Sequence, residues 1–218
     1  MSEDKFDFKL NNGCLFVNVD RVSETQFCGW KDFTEVAFMK PVEEIEDRAF
    51  AGCSNLRTVT FMGEVGKISY GAFKDTVLKH VHFFSTVHCI GLYAFAENPC
   101  LKEVIFDGGV GRLDSYAFEA CTGLQQITVP CPLLDLGSEV FRGCSSLEAV
   151  SLHGLTKYSG SGLFRDCVSL KRVVLPNRME RISTDLFKGC SELEYVVMPD
   201  VLDAEELEKL FEDCPKCR

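Results

Sequence analysis

Long apolar runs are the first thing missing from this 218-residue sequence. It contains no stretch of 18 apolar residues, which excludes a membrane-spanning helix. The acidic start Met-Ser-Glu-Asp-Lys-Phe-Asp has no apolar core of the length a secretion signal needs. The chain is therefore expected to be cytoplasmic, or surface-bound or secreted only if a signal was removed ahead of it. Basic charge is scarce, with 23 Lys and Arg against 33 Asp and Glu and a formal net charge of −10. Nucleic acid and anionic membrane surfaces both call for a basic face, so neither is the expected partner. No Pro/Gly/Ser-rich linker divides the chain, which points to one elongated body.

The motifs of common catalytic sites are missing too. There is no G-x-S-x-G and no H-E-x-x-H. Gly108-Gly109-Val110-Gly111 lacks phosphate-loop spacing and reads as a turn. No enzyme activity and no cofactor are expected.

What is present is a repeat. Phenylalanine marks it at Phe27, Phe50, Phe73, Phe95, Phe118, Phe141, Phe164, Phe187 and Phe211, in steps of 22 to 24 residues. One unit reads I-x-x-x-A-F-x-x-C-x-x-L-x-x-V-x-F, with Ile45, Ala49, Phe50, Cys53, Leu56, Val59 and Phe61 in its apolar positions. A fixed step of this size is the mark of a solenoid, in which each unit buries its apolar face only against its neighbours. The L-x-x-V-x-F half alternates with period two and reads as a short strand. The A-F-x-x-C half places Phe and Cys three apart and reads as one helical or 3₁₀ turn. Successive strands must then run parallel, about eight of them making a sheet roughly 35–40 Å across.

Twelve cysteines invite a disulfide reading, but six of them (Cys53, Cys121, Cys144, Cys167, Cys190, Cys214) sit three residues after the marker phenylalanine. Trp30, Thr76 and Asn98 fill that position elsewhere, so it reads as a packing position for reduced, inward-facing thiols. Cys214-Pro215-Lys216-Cys217 is a lone C-x-x-C at the end of a helical pattern. A thiol redox role there is the remote alternative to a packed Cys214 and an incidental Cys217.

The two ends differ from the middle. Around Asn11-Asn12-Gly13, Phe6-Asp7-Phe8-Lys9-Leu10 and Leu15-Phe16-Val17-Asn18-Val19 alternate as a β-hairpin does. This segment, 1–21, is expected to cap the first open edge of the sheet. Asp203 with Glu206 makes a capping box, and Leu207, Leu210, Phe211 and Cys214 follow at helical spacing, so 201–218 is expected to be a capping helix. Repeats fill 22–200, and two caps imply a complete module.

The 23-residue A-F-x-x-C-x-x-L-x-x-V-x-L/F unit resembles the BspA-type leucine-rich repeat over about residues 22–200. That resemblance implies an α/β fold: a right-handed leucine-rich-repeat solenoid with a parallel concave sheet and short helical or 3₁₀ convex returns. It also implies binding of proteins or cell surfaces, and hence an adhesin as the alternative to an intracellular scaffold or adaptor.

Residues flanking the buried Val and Phe of each strand point onto the concave face. Three columns follow, beginning Glu35-Thr58-His80, Ala37-Thr60-His82 and Met39-Met62-Phe84. Met39, Met62, Phe84 and Ile105, beside His80 and His82, form one apolar run. Val174, Tyr195 and Val197 form a second near the other end, with Arg172 on the same face. Large, adaptable exposed side chains suit recognition of a protein partner. The plainer readings are that loops or caps cover them, or that the chain self-associates through them. His80-x-His82 with His88 and Cys89 is the one metal-like cluster, and it reads as histidines in a binding face, with no metal expected. Glu43-Glu44-x-Glu46-Asp47 reads as a solvated turn.

Overall fold

The computed structural model describes residues 7–217. Phe6 and the rest of the first six residues, and Arg218 of the expected terminal caps, lie outside the described residues. The chain winds as a stack of parallel coils whose apolar side chains fill the interior from end to end.

The front wall begins with the hairpin Phe8–Asn11 and Cys14–Val17, paired antiparallel from Phe8↔Val17 to Asn11↔Cys14. Asn12 and Gly13 both take positive φ (48° and 78°), which the tight connection needs. Parallel strands Glu35–Phe38, Thr58–Phe61, His80–Phe83 and Glu103–Phe106 follow in strict register, Glu35↔Thr58↔His80↔Glu103. Gln126–Leu133, Ala149–Gly154, Arg172–Val174 and Tyr195–Val197 make a separate four-stranded parallel sheet. The front wall is thus two sheets and not the single one the repeat implied.

A second parallel sheet stands behind the first, which the repeat pattern did not reveal. Arg21–Val22, Val42–Ile45, Val65–Ile68, Val87–Ile90, Val110–Leu113 and Asp135–Leu136 pair in order. Glu43 and Glu44 belong to one of these strands, not to a turn. Glu44 bonds the Ser69 hydroxyl (2.6 Å) and pairs with Lys67 (3.3 Å) and Arg21. Those donors outweigh burial and hold its carboxyl below the usual range.

The A-F-x-x-C returns are successive turns and not helices. Left-handed residues such as Arg48 (φ 55°) and Gly52 (φ 67°) interrupt each helical turn. Alternate N–H groups then point along the stack. Arg48, Phe50 and Gly52 donate to Tyr70, Ala72 and Lys74 of the next coil at 2.8–2.9 Å, while Ala49 and Ala51 bond within their own turn. The return wall is therefore a third backbone ladder. On its inner side the marker phenylalanines stack ring on ring, from Phe27 on Phe50 (5.1 Å) to Phe187 on Phe211 (5.9 Å). A second stack, Phe38-Phe61-Phe83-Phe106, lies under the front wall at 4.6–5.1 Å.

The far end carries the helix Ala204–Leu210. Both halves of its capping box are formed: Glu206 N–H donates to Asp203 and Asp203 N–H to Glu206. Leu210 and Cys214 are buried against the last coil.

Candidate functional site

The front wall presents the columns read from the sequence. The shared register places His80 between Thr58 and Glu103, and His82 between Thr60 and Ile105. Along the strand ends Met39, Met62 and Phe84 are 46%, 48% and 46% exposed, and Ile105 is exposed beside them. These side chains stand out because Val59 and Phe61, Val81 and Phe83 take the inward positions of their strands. Met39, Met62 and Phe84 occupy one position in three successive coils about 4.8 Å apart; Asp107 takes that position in the fourth, where Ile105 lies beside His82 instead.

Two histidine–carboxylate contacts cross from strand to strand within this area. His82 Nε2 lies 2.8 Å from Asp107 and its ring stacks on Phe84 at 3.8 Å. His80 Nδ1 lies 3.4 Å from Glu103. Both pairs are substantially exposed and contribute little stability, about 1 kcal/mol at most. Of the two, only His82 also touches Phe84. At the strand starts Arg57, Lys79 and Lys102 are stacked and exposed, and they make no ion pair among the described residues. An acidic molecule thus has a basic rim along one side of its apolar row.

The second group is looser. Tyr195 and Val197 are exposed (58% and 41%), Val174 is half-buried, and Arg172 is exposed without an ion pair among the described residues. Pro176, which holds the position of Met39, Met62 and Phe84 in its own coil, is buried, and its strand stops at Val174. Trp30, assigned an interior position, is 45% exposed and covers Phe27 and Phe33 at 5.3 Å and 6.4 Å.

The histidine cluster is divided between walls. His80 and His82 are in front, whereas His88 and Cys89 lie on the back strand Val87–Ile90, where His88 pairs with Glu64. No group of three or more metal-ligating side chains gathers among the described residues. Cys214 is buried and donates to Phe187 O at 3.7 Å. Burial pushes its thiol up to about 12 and raises that of Cys217, the opposite of what an attacking thiolate needs.

Sequence reasoning missed Leu134, Leu155 and Tyr158, exposed at 58%, 48% and 55% where the back sheet ends. The glycine-rich run after Tyr158 was the available signal: only the bridge Tyr158↔Arg181 continues the back wall there. No helix among the described residues is long and apolar enough to cross a membrane.

Comparison with known proteins agrees with this architecture. A model of the BspA type leucine rich repeat region, in six copies, matches residues 20–148 and 90–218. No curated protein matches. Among solved structures, the pneumococcal vaccine antigen PcpA aligns with a TM-score of 0.59 at 19% identity, over 91% of this chain and 60% of that one. This chain therefore spans under two thirds of the antigen's length. The T. pallidum leucine rich repeat protein aligns with a TM-score of 0.52 at 22% identity, over 100% of this chain and 98% of that one. At these identities the likeness concerns the fold.

Proposed function

Because this chain belongs to the BspA-type leucine-rich repeat family, we propose that it is a non-enzymatic interaction module that holds a protein partner on its front wall. The observation that carries this reading is the exposed set Met39, Met62 and Phe84, at the ends of three successive strands, with Ile105 beside His82 and the His82 ring stacked on Phe84. Burying such a row against a partner contributes about 25 cal/mol per Å² of apolar area, which isolated exposed residues do not offer. Arg172, Val174, Tyr195 and Val197 extend the surface toward the other end. A scaffold or adaptor working in the cytoplasm fits the free thiols, six of them buried in the stack and Cys28, Cys100 and Cys131 exposed.

The test is a pull-down with the intact chain and with a Met62→Asp plus Phe84→Asp variant of unchanged thermal stability. Loss of the captured partner supports the front wall, and undiminished capture removes it. The second reading, a surface or secreted adhesin, follows from the family. Disulfides found among the stacked cysteines by mass spectrometry under non-reducing conditions, or a cleaved upstream signal, favour it over the cytoplasmic one.

A further inference from the structure

The front wall contains a seam. Every other neighbouring pair of its strands is laddered, but Glu103–Phe106 and Gln126–Leu133 are not paired among the described residues. The walls behind the seam stay closed: Phe95 N–H reaches Ala117 O at 2.9 Å, and Arg112 and Leu113 pair with Asp135 and Leu136.

Proline removes one bond of this ladder. In the preceding coils Met62, Phe84 and Asp107 donate their N–H groups to Phe38, Phe61 and Phe83 at 2.9–3.0 Å. The next residue in that position is Pro130, which has no N–H to give to Phe106. At the other end of the strand, the carbonyls of Thr34, Arg57 and Lys79 each receive two N–H groups from the next coil, whereas the Lys102 carbonyl receives none. The inner stack of rings changes at the same place, since Val129 follows Phe106 in that position.

The register of the closed pairs directs the N–H and C=O groups of Val104 and Phe106 toward those of Gln126 and Thr128. A crevice of about 310 Å³ lies between them, lined by Glu103, Ile105, Phe106, Gln126, Thr128 and Pro130. Two facing edges, each alternating donors and acceptors at strand spacing, match one chemistry above others: the main chain of an extended peptide. An anion would satisfy the donors alone.

We infer that the seam takes an extended segment of the protein partner as an added strand between Glu103–Phe106 and Gln126–Leu133. This rests on the front-wall reading above and specifies how the partner is held. The flanking strands part to about twice the ordinary 4.8 Å spacing, pivoting on the closed return wall. Ile105 offers the adjoining apolar contact.

The test uses the full chain, hydrogen exchange, and linear 12-residue peptides selected on it from a random phage-displayed library. In the free protein, the amides of Val104, Phe106, Gln126 and Thr128 exchange at least about 100-fold faster than those of Val59, Phe61, His80 and His82. Selected peptides slow the four seam amides at least about tenfold and lose affinity at least about tenfold when alternate backbone nitrogens are methylated. They also bind Pro130→Thr, which regains the N–H and closes the seam, at least about tenfold more weakly. Seam amides as slow as their counterparts, no peptide retained, or equal binding to Pro130→Thr overturns the inference. If the peptides ignore the seam but are lost on Met62→Asp plus Phe84→Asp, the front-wall reading survives alone. If neither change matters, both fall.

Discussion

At the scale of single residues, the position three after each stacked phenylalanine does more than fill space. The thiols of Cys53, Cys121, Cys144, Cys167 and Cys190 donate to the carbonyl of the phenylalanine one coil earlier at 3.0–3.2 Å. Asn98 takes the same role with its amide, reaching Phe73 O at 2.8 Å and Phe95 O at 2.9 Å, and Thr76 donates to Asn98. The position suits a small donor that adds a second bond to a carbonyl already holding, in most coils, one backbone N–H of its own turn, a gain of about 1 kcal/mol. Thr76 and Asn98 carried that signal in the sequence. Cysteine masked it, since a packed thiol and a bonded thiol are the same residue on paper. Cys144→Ala, which opens a cavity and leaves Phe118 O with only the Cys121 N–H at 3.3 Å, is expected to cost about 2 kcal/mol in urea unfolding.

Burial also pushes these thiols up, to about 12 for Cys53 and well above the ordinary value for Cys121, Cys144 and Cys167. The unfolded chain gives up those protons above about pH 9, while the folded chain keeps them. The stabilisation is therefore complete below about pH 9 and is lost as pH rises through the folded values, at about 1.4 kcal/mol per pH unit for each thiol. Cys144→Thr keeps a donor but removes one titrating group. It should flatten the fall of stability between about pH 9 and about pH 11 by that amount, and an unchanged slope contradicts the burial of this thiol.

At the scale of elements, the back strands show why part of the fold was hard to read. Their buried residues, such as Val65 and Ile68, are three apart, a spacing that suggests a helical turn. Pairing runs Val42↔Val65, then Glu44↔Lys67 and Ile45↔Ile68, skipping the residue after the valine. That skipped residue shifts the alternation by one, as a bulge does. It also presses on the neighbouring coil: a Cβ at Gly66 would stand 2.3 Å from Glu43 O, and one at Gly111 2.5 Å from His88 O. Gly66→Ala is thus expected to cost roughly 2 kcal/mol or more in thermal unfolding, against under roughly 0.5 kcal/mol for the exposed Glu43→Ala. The hairpin turn and the capping box, by contrast, were legible because both are set by residues within a few positions of one another. The seam at Pro130 was legible in principle, as a proline inside a strand pattern, but only the pairing shows that it opens the wall.

At the scale of the whole molecule, the junctions between coils up to Leu136 are held on three walls by backbone bonds, the front-wall seam excepted, and the later ones mainly on two. The ring stack reports the difference. Its spacing is 5.0–5.2 Å among Phe50, Phe73 and Phe95 and 5.7 Å from Phe118 through Phe187. Front strands stay near 4.8 Å apart within each sheet, so the later coils fan outward on the return side and the front curves more there. Nearest-neighbour stability in a stacked chain then predicts that the coils after Leu136 open first. Native-state hydrogen exchange should give them opening energies lower by roughly 2 kcal/mol or more than the coils of Phe50 and Phe73, a few hydrogen bonds at about 1 kcal/mol each. Uniform protection across the stack would mean that the back sheet adds nothing to stability.

The claim on which the rest depends is that stacking occupies the interior and leaves the front wall free for a protein. A photo-crosslinking amino acid at Thr60, on the front wall, and at Lys67, on the back wall, tests it most directly in the native cell. The expected result is a discrete protein adduct from Thr60, abolished by Met62→Asp plus Phe84→Asp, and none from Lys67. Adducts from Lys67 alone, or equally from both positions, would contradict it.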